Sequence, residues 1–141
     1  MRIFVGILGL AAWILYVGQI ISVANFGLAQ RLGLQESSDS ADPLSGHLEL
    51  WAARWDLWWL WTLPAAGILM LLDHPWWPYA AMIGGGAFVD TGGREAAKNL
   101  GLRQQSVRIG SRGQQWLAMS VYIYFIVTGG LAIAASLIEI L

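Results

Sequence analysis

Four long apolar stretches, bounded by short polar ones, set the pattern of this chain. Residues 3–24 are apolar throughout, with Gln19 as the most polar member. A run of about 22 residues matches the ~20 that a helix needs to cross a bilayer. It exceeds the roughly 7–15 residues of a signal-peptide core. Residues 25–42 form the main polar connection. In it Phe26, Leu28, Leu32 and Leu34 stand among Gln30, Arg31 and Gln35, a pattern that suits a short amphipathic turn or helix at an interface. Its last part, Glu36 to Asp42, is polar enough to predict flexibility.

Asp42-Pro43 is a helix start, an N-cap acid followed by proline at the first helical position. One helix is predicted from there to Asp73, with Pro64 as a kink. It is amphipathic to about Asp56 and apolar from Leu57 to Leu72. Pro75 and Pro78 prevent residues 73–78 from being helical throughout, which predicts a tight hairpin. Residues 79–89 are apolar but contain Gly84-Gly85-Gly86. Such a run is a poor helix former in water, yet it lets helices approach closely in lipid. This helix is predicted to reach about Lys98, and a last one to begin at Gln115. The expectation is a single-domain, all-α integral membrane protein, a four-transmembrane-helix bundle with spans of about 3–24, 55–72, 76–98 and 115–138.

Helical periodicity then assigns faces. Trp51, Trp55, Trp58 and Trp59 share one side of the second segment. Glu49, Ala53, Asp56, Leu60, Leu63 and Gly67 share the opposite side, and His47 and Arg54 a third direction. Tryptophan rings are comfortable at lipid headgroups, whereas carboxylates must face protein or water. Trp76, Trp77 and Tyr79 are expected to form a second aromatic belt. In the third span, Tyr79, Ile83, Gly86, Ala87, Asp90, Gly93, Arg94 and Ala97 form a mostly small face, read as the packing face.

Composition narrows the class. The 141 residues are 57% hydrophobic and 12% charged, against about 25% charged in a typical soluble domain. A net charge of −1 leaves no domain-wide basic face for nucleic acid. With no cysteine, disulfides, thiolate metal sites and cysteine nucleophiles are excluded. Arg31, Arg54, Arg94, Lys98, Arg103, Arg108 and Arg112 fall in the 25–56 and 93–114 connections, and Arg2 alone lies on the other side. The positive-inside rule therefore puts the basic 93–114 loop in the cytoplasm and both termini outside, in an inner or plasma membrane.

The candidate functional residues are Glu49, Arg54, Asp56, Asp90 and Arg94, with Glu95 beside them. At 1.5 Å per residue, Asp56 and Asp90 lie about 25 and 20 Å from the hairpin, near the cytoplasmic boundary. Arg54–Asp90 and Asp56–Arg94 are the cross-helix pairs expected. They would act as an interhelical tie, or as water-accessible carboxylates that load a proton, an ion or a cationic substrate. His47 and His74 fall at opposite ends and cannot jointly clamp a haem. Neither a His-x-x-x-His nor a Glu-x-x-His spacing occurs, so no cofactor or metal is expected. The glycine runs lack phosphate-loop spacing, and Asp90-Thr91-Gly92 stands alone, without the second such motif of an aspartic protease. The leading expectation is a structural, accessory or assembly role in a larger membrane complex or a homo-oligomer, rather than an enzyme. The alternative is a small proton- or ion-coupled transporter or channel using Asp56, Asp90 and Arg94. A third reading is a lipid- or quinone-processing enzyme beside His47, Glu49, Arg54 and Asp56.

Overall fold

A computed structural model describes residues 1–37 and 39–141. Ser38, in the stretch read as flexible, lies outside the described residues. The described chain is helical: α1 (Arg2–Ala24), α2 (Phe26–Arg31), α3 (Pro43–Asp56), α4 (Thr62–Leu71), α5 (Trp77–Gln104) and α6 (Arg112–Ile140). No strand occurs among the described residues, and the one isolated bridge joins Ala41 to Ile109. Two helices, α1 and α6, are long and apolar enough to cross a membrane.

α4 packs between α1 and α5, and α6 lies along α5 and touches α1; α2 and α3 cover one end of α1. Small residues permit these approaches. A Cβ on Gly67 would stand 2.8 Å from the Gly6 carbonyl, and one on Gly84 would stand 2.6 Å from the Leu63 backbone. Gly85 and Gly129 face each other in the same way across α5 and α6. Around these contacts Val5, Leu63, Met70, Phe88 and Phe125 fill the core, with the Phe88 and Phe125 rings edge-on at 4.7 Å. Tyr124 Oη donates to the Leu8 carbonyl at 2.5 Å, and Arg2 pairs with Asp73 where α1 starts and α4 ends.

The second segment differs from the single kinked helix expected. It breaks at residues 57–61, and Pro64 sits within the first turn of α4. The cause is chemical. Proline has no N–H to donate, and its ring clashes with the carbonyl four residues earlier, here Leu60. A helix that restarts at Thr62 puts Pro64 where no intrahelical donor is required. The loosened carbonyls find other donors. Tyr16 Oη donates to Leu57 O at 3.1 Å, Trp61 Nε1 to Trp58 O at 3.0 Å, and Thr62 Oγ1 to Trp59 O at 2.5 Å. Losing the Tyr16 bond strands one carbonyl. Tyr16→Phe is therefore expected to lower stability by about 1 kcal/mol, read as a shifted unfolding midpoint in mixed micelles.

Other boundaries also move. α5 runs through the triple glycine and continues to Gln104, six residues past the expected end at Lys98. α6 starts at Arg112 instead of Gln115, because Ser111 and Gln114 form a reciprocal capping box. Asp42 occupies the N-cap of α3, but its carboxylate accepts from the Arg108 backbone N–H at 2.7 Å. Trp77, expected in an aromatic belt, is buried, while Trp76 and Tyr79 are exposed. The face read as the α5 packing face is turned outward; the buried face is Ala81, Gly84, Gly85, Phe88, Thr91, Gly92 and Glu95.

Candidate functional site

The charged residues gather where α3 meets the second half of α5. On α3, Glu49, Ala53 and Asp56 recur at helical spacing and turn inward. Trp51, Trp55, Trp58 and Trp59, on and just past the same helix, face outward. On α5 the same periodicity brings Thr91, Glu95, Lys98 and Asn99 to one side. The two helices meet through side chains. Arg94 Nη2 donates to Asp56 Oδ1 at 2.6 Å, and Thr91 Oγ1 reaches the same oxygen at 3.4 Å. Lys98 Nζ lies 2.9 Å from Glu49 Oε1 and also pairs with Glu95 Oε2. Asn99 Nδ2 donates to Tyr122 Oη of α6 at 2.8 Å.

The expected candidates divide. Asp56–Arg94 forms as expected, and Glu49 joins it through Lys98. Arg54–Asp90 does not form. Arg54 lies over the Trp51 ring, 5.0 Å from its centroid, and the Asp90 side chain is 70% exposed, with Arg94 Nε at 3.8 Å. His47 and His74 are both exposed and apart from the cluster. Lys98, which counted in the sequence only toward topology, turns out to be central. Glu95, Thr91, Asn99 and Tyr122 complete the site. The available signal was the spacing of 91, 95 and 98 on α5. Glycines on both flanks of that helix masked which side packs.

Beside the cluster lies a cavity of about 300 Å³. Ile14, Leu15, Gly18, Gln19 and Ser22 of α1 form one wall, and Leu117, Ala118, Val121, Tyr122 and Phe125 of α6 another. Glu49 and Asp56 of α3 and Thr91, Glu95 and Asn99 of α5 close the polar side. Glu49, Asp56 and Glu95 are among the lining residues, whereas their partners Arg94 and Lys98 are not. The Glu95 side chain is only 6% exposed. Its Oε1 has no hydrogen-bond partner among the described residues, nor do Gln19 Oε1, Glu36 Oε2 and Arg94 Nε. Burial raises the Glu49 pKa, an effect that Lys98 opposes and Glu95 reinforces.

Two connections roof the cavity. Gly33, Leu34, Gln35 and Glu36 come from the α2–α3 connection, and Ile109 from the α5–α6 loop. They are tied by Asp42 N–H to Arg108 O at 2.9 Å and Gly110 N–H to Ser40 O at 3.1 Å. Gln35 Nε2 anchors the first to Ser22 Oγ at 3.2 Å. Desolvation, reinforced by Glu49, raises the Glu36 pKa to about 7. An acid whose folded pKa exceeds its unfolded value favours the folded state fully only below the unfolded pKa, and that contribution is lost as pH rises through the folded one. The roof is thus expected to loosen between about pH 4.5 and 7. Hydrogen exchange at residues 33–36, corrected for intrinsic rates, checks this; Glu36→Gln should flatten the dependence.

Comparison with protein-family models, curated proteins and solved structures finds no match to the chain.

Proposed function

We propose that the chain is a small four-span membrane protein that takes a solute into the α1–α3–α5–α6 cavity, as a transporter of minimal size does. The single observation that carries this reading is the cavity itself: a space of about 300 Å³ with apolar walls on two sides and buried carboxylates on a third. Drug-sized ligand sites occupy roughly 300–1,000 Å³ and combine apolar lining with a few placed polar groups.

The four-span architecture is supported by several features. The outer surfaces of α1 and α6 are apolar, with Ile3, Ile7, Ile123 and Ile138 all exposed. α4 rises about 15 Å at helical pitch, and the turns at 57–61 extend the segment toward the hydrocarbon thickness of ~30 Å. The break at 57–61 has internal donors for the Leu57, Trp58 and Trp59 carbonyls, as non-helical backbone at membrane depth requires. α5 carries Asp90 as its one charge before Arg94. The basic residues other than Arg2 then lie at the cavity end, which the positive-inside rule places in the cytoplasm. Both termini are outside in this arrangement.

An accessory role has its own support, in the groove formed by Trp55, Trp59, Met82, Ile83, Gly86, Ala87 and Asp90. An exposed carboxylate among apolar side chains at that depth is costly unless a partner helix covers it. The two readings separate on reconstitution. Saturable uptake of hydrophobic solutes by proteoliposomes, lost in Ala118→Phe, supports the transporter. Absence of saturable uptake, with a stoichiometric larger protein retained in native mass spectrometry, moves the function to the accessory role.

A further inference from the structure

Resting on the reading of the cavity as a solute site, we infer that its ligand is a protonated amine bearing N–H donors on an apolar body. The charge balance around the space comes first. Glu36, Glu49, Asp56 and Glu95 line it, and Arg103 is the only cation among the lining residues; it is exposed. Arg94 and Lys98 pair with Glu49, Asp56 and Glu95 but leave one Glu95 oxygen without a hydrogen bond among the described residues. Glu95 Oε1 is buried with no donor, and Arg94 Nη1 stands 3.8 Å from it. Gln19 Oε1, on α1, and Glu36 Oε2, in the roof, are further buried acceptors with no donor among the described residues. A buried acceptor left unpaired is destabilising, so a ligand that donates to these oxygens is favoured.

The chemistry of these groups restricts the head. Orphan acceptors call for N–H donors, which a primary or secondary ammonium has and a quaternary ammonium lacks. A carboxylate head would bring further acceptors to oxygens that already lack donors. The walls restrict the rest. Ile14, Leu15, Leu117, Val121 and Phe125 offer only apolar surface, which a hydrated inorganic ion cannot use and an alkyl body can.

The test is equilibrium binding of radiolabelled hexylamine to the full chain in lipid nanodiscs. Hexyltrimethylammonium, hexanol, hexanoate and sodium and potassium chloride serve as competitors. Hexylammonium should bind saturably. The trimethyl compound and hexanol should compete at least tenfold more weakly than unlabelled hexylamine, hexanoate and the salts not at all beyond ionic-strength effects. Glu95→Gln should weaken binding at least tenfold, and Glu139→Gln, at the far end of α6, should leave it unchanged. Should Glu95→Gln fail to fold, Ala118→Phe fills the space from α6 without touching an ion pair and should abolish binding. Equal competition by the trimethyl compound overturns the need for N–H donors. Equal competition by hexanol or hexanoate overturns the cationic head while leaving the cavity a binding site, and specific displacement by salt alone overturns the organic class. Saturable binding by none of the probes overturns the cavity reading together with this one.

Discussion

Gly85→Val is expected to destabilise the protein by about 3 kcal/mol or more, at the upper end of the range for overpacking. A Cβ at Gly85 would fall 2.6 Å from the Gly129 carbonyl oxygen and 2.9 Å from the Ile133 side chain. Backbone cannot yield as a flexible side chain can, so α5 and α6 must separate. That separation also loosens the Phe88–Phe125 contact nearby. Gly86 is the internal control, because a Cβ there meets nothing within 4 Å. Gly86→Val should stay within about 0.5 kcal/mol of the parent, as surface substitutions do. Chemical unfolding of both variants in mixed micelles makes the comparison. Equal effects at the two positions would mean that α5 and α6 do not meet at Gly85.

Lys98→Met is expected to cost about 3–5 kcal/mol, the penalty for leaving buried charge without its partner. Lys98 Nζ is shared by Glu49 and Glu95, and among the described residues the next cation, Arg94, stands 3.8 Å from Glu95 Oε1. The triple variant Glu49→Gln, Glu95→Gln, Lys98→Met removes the whole unit. It should recover most of the lost stability, since replacing a buried ionic group entirely is often near neutral. A single Lys98→Met with parent stability would show that the cluster is hydrated rather than buried.

Much of this structure was legible in the sequence, for identifiable reasons. α1 could be read because its apolar run is uninterrupted. The tryptophan and carboxylate sides of α3 could be read because large and charged residues make a helical period sharp. The hairpin count put Asp56 level with Arg94 and Arg54 level with Asp90, but depth does not choose the helix face, and only Asp56–Arg94 forms. Pro64 gave a correct warning at the wrong residue: its effect falls on the carbonyl four residues earlier, so the break appears at 57–61. The packing face of α5 could not be read. Glycines at 84–86 and 92–93 make two faces equally small, and only the positions of Leu63, Gly129 and Tyr122 on other helices choose between them. The same ambiguity left Glu95 beside the candidates and brought Asp90 forward. The cavity was beyond the sequence too, because it arises from helices held apart at one end, and no local pattern records such a separation.

The claim that an open cavity exists at the loop end of the bundle can be tested most directly by cysteine labelling. The chain has no cysteine of its own, so single substitutions report without background. Ala118 lines the cavity, whereas Ala132, further along α6, is fully buried in the core. In reconstituted vesicles, Ala118→Cys should react with a small maleimide added on the side of the basic loop, and Ala132→Cys should not. Lack of reaction at both positions in folded protein, or reaction of Ala118→Cys only from the opposite side, would contradict the claim.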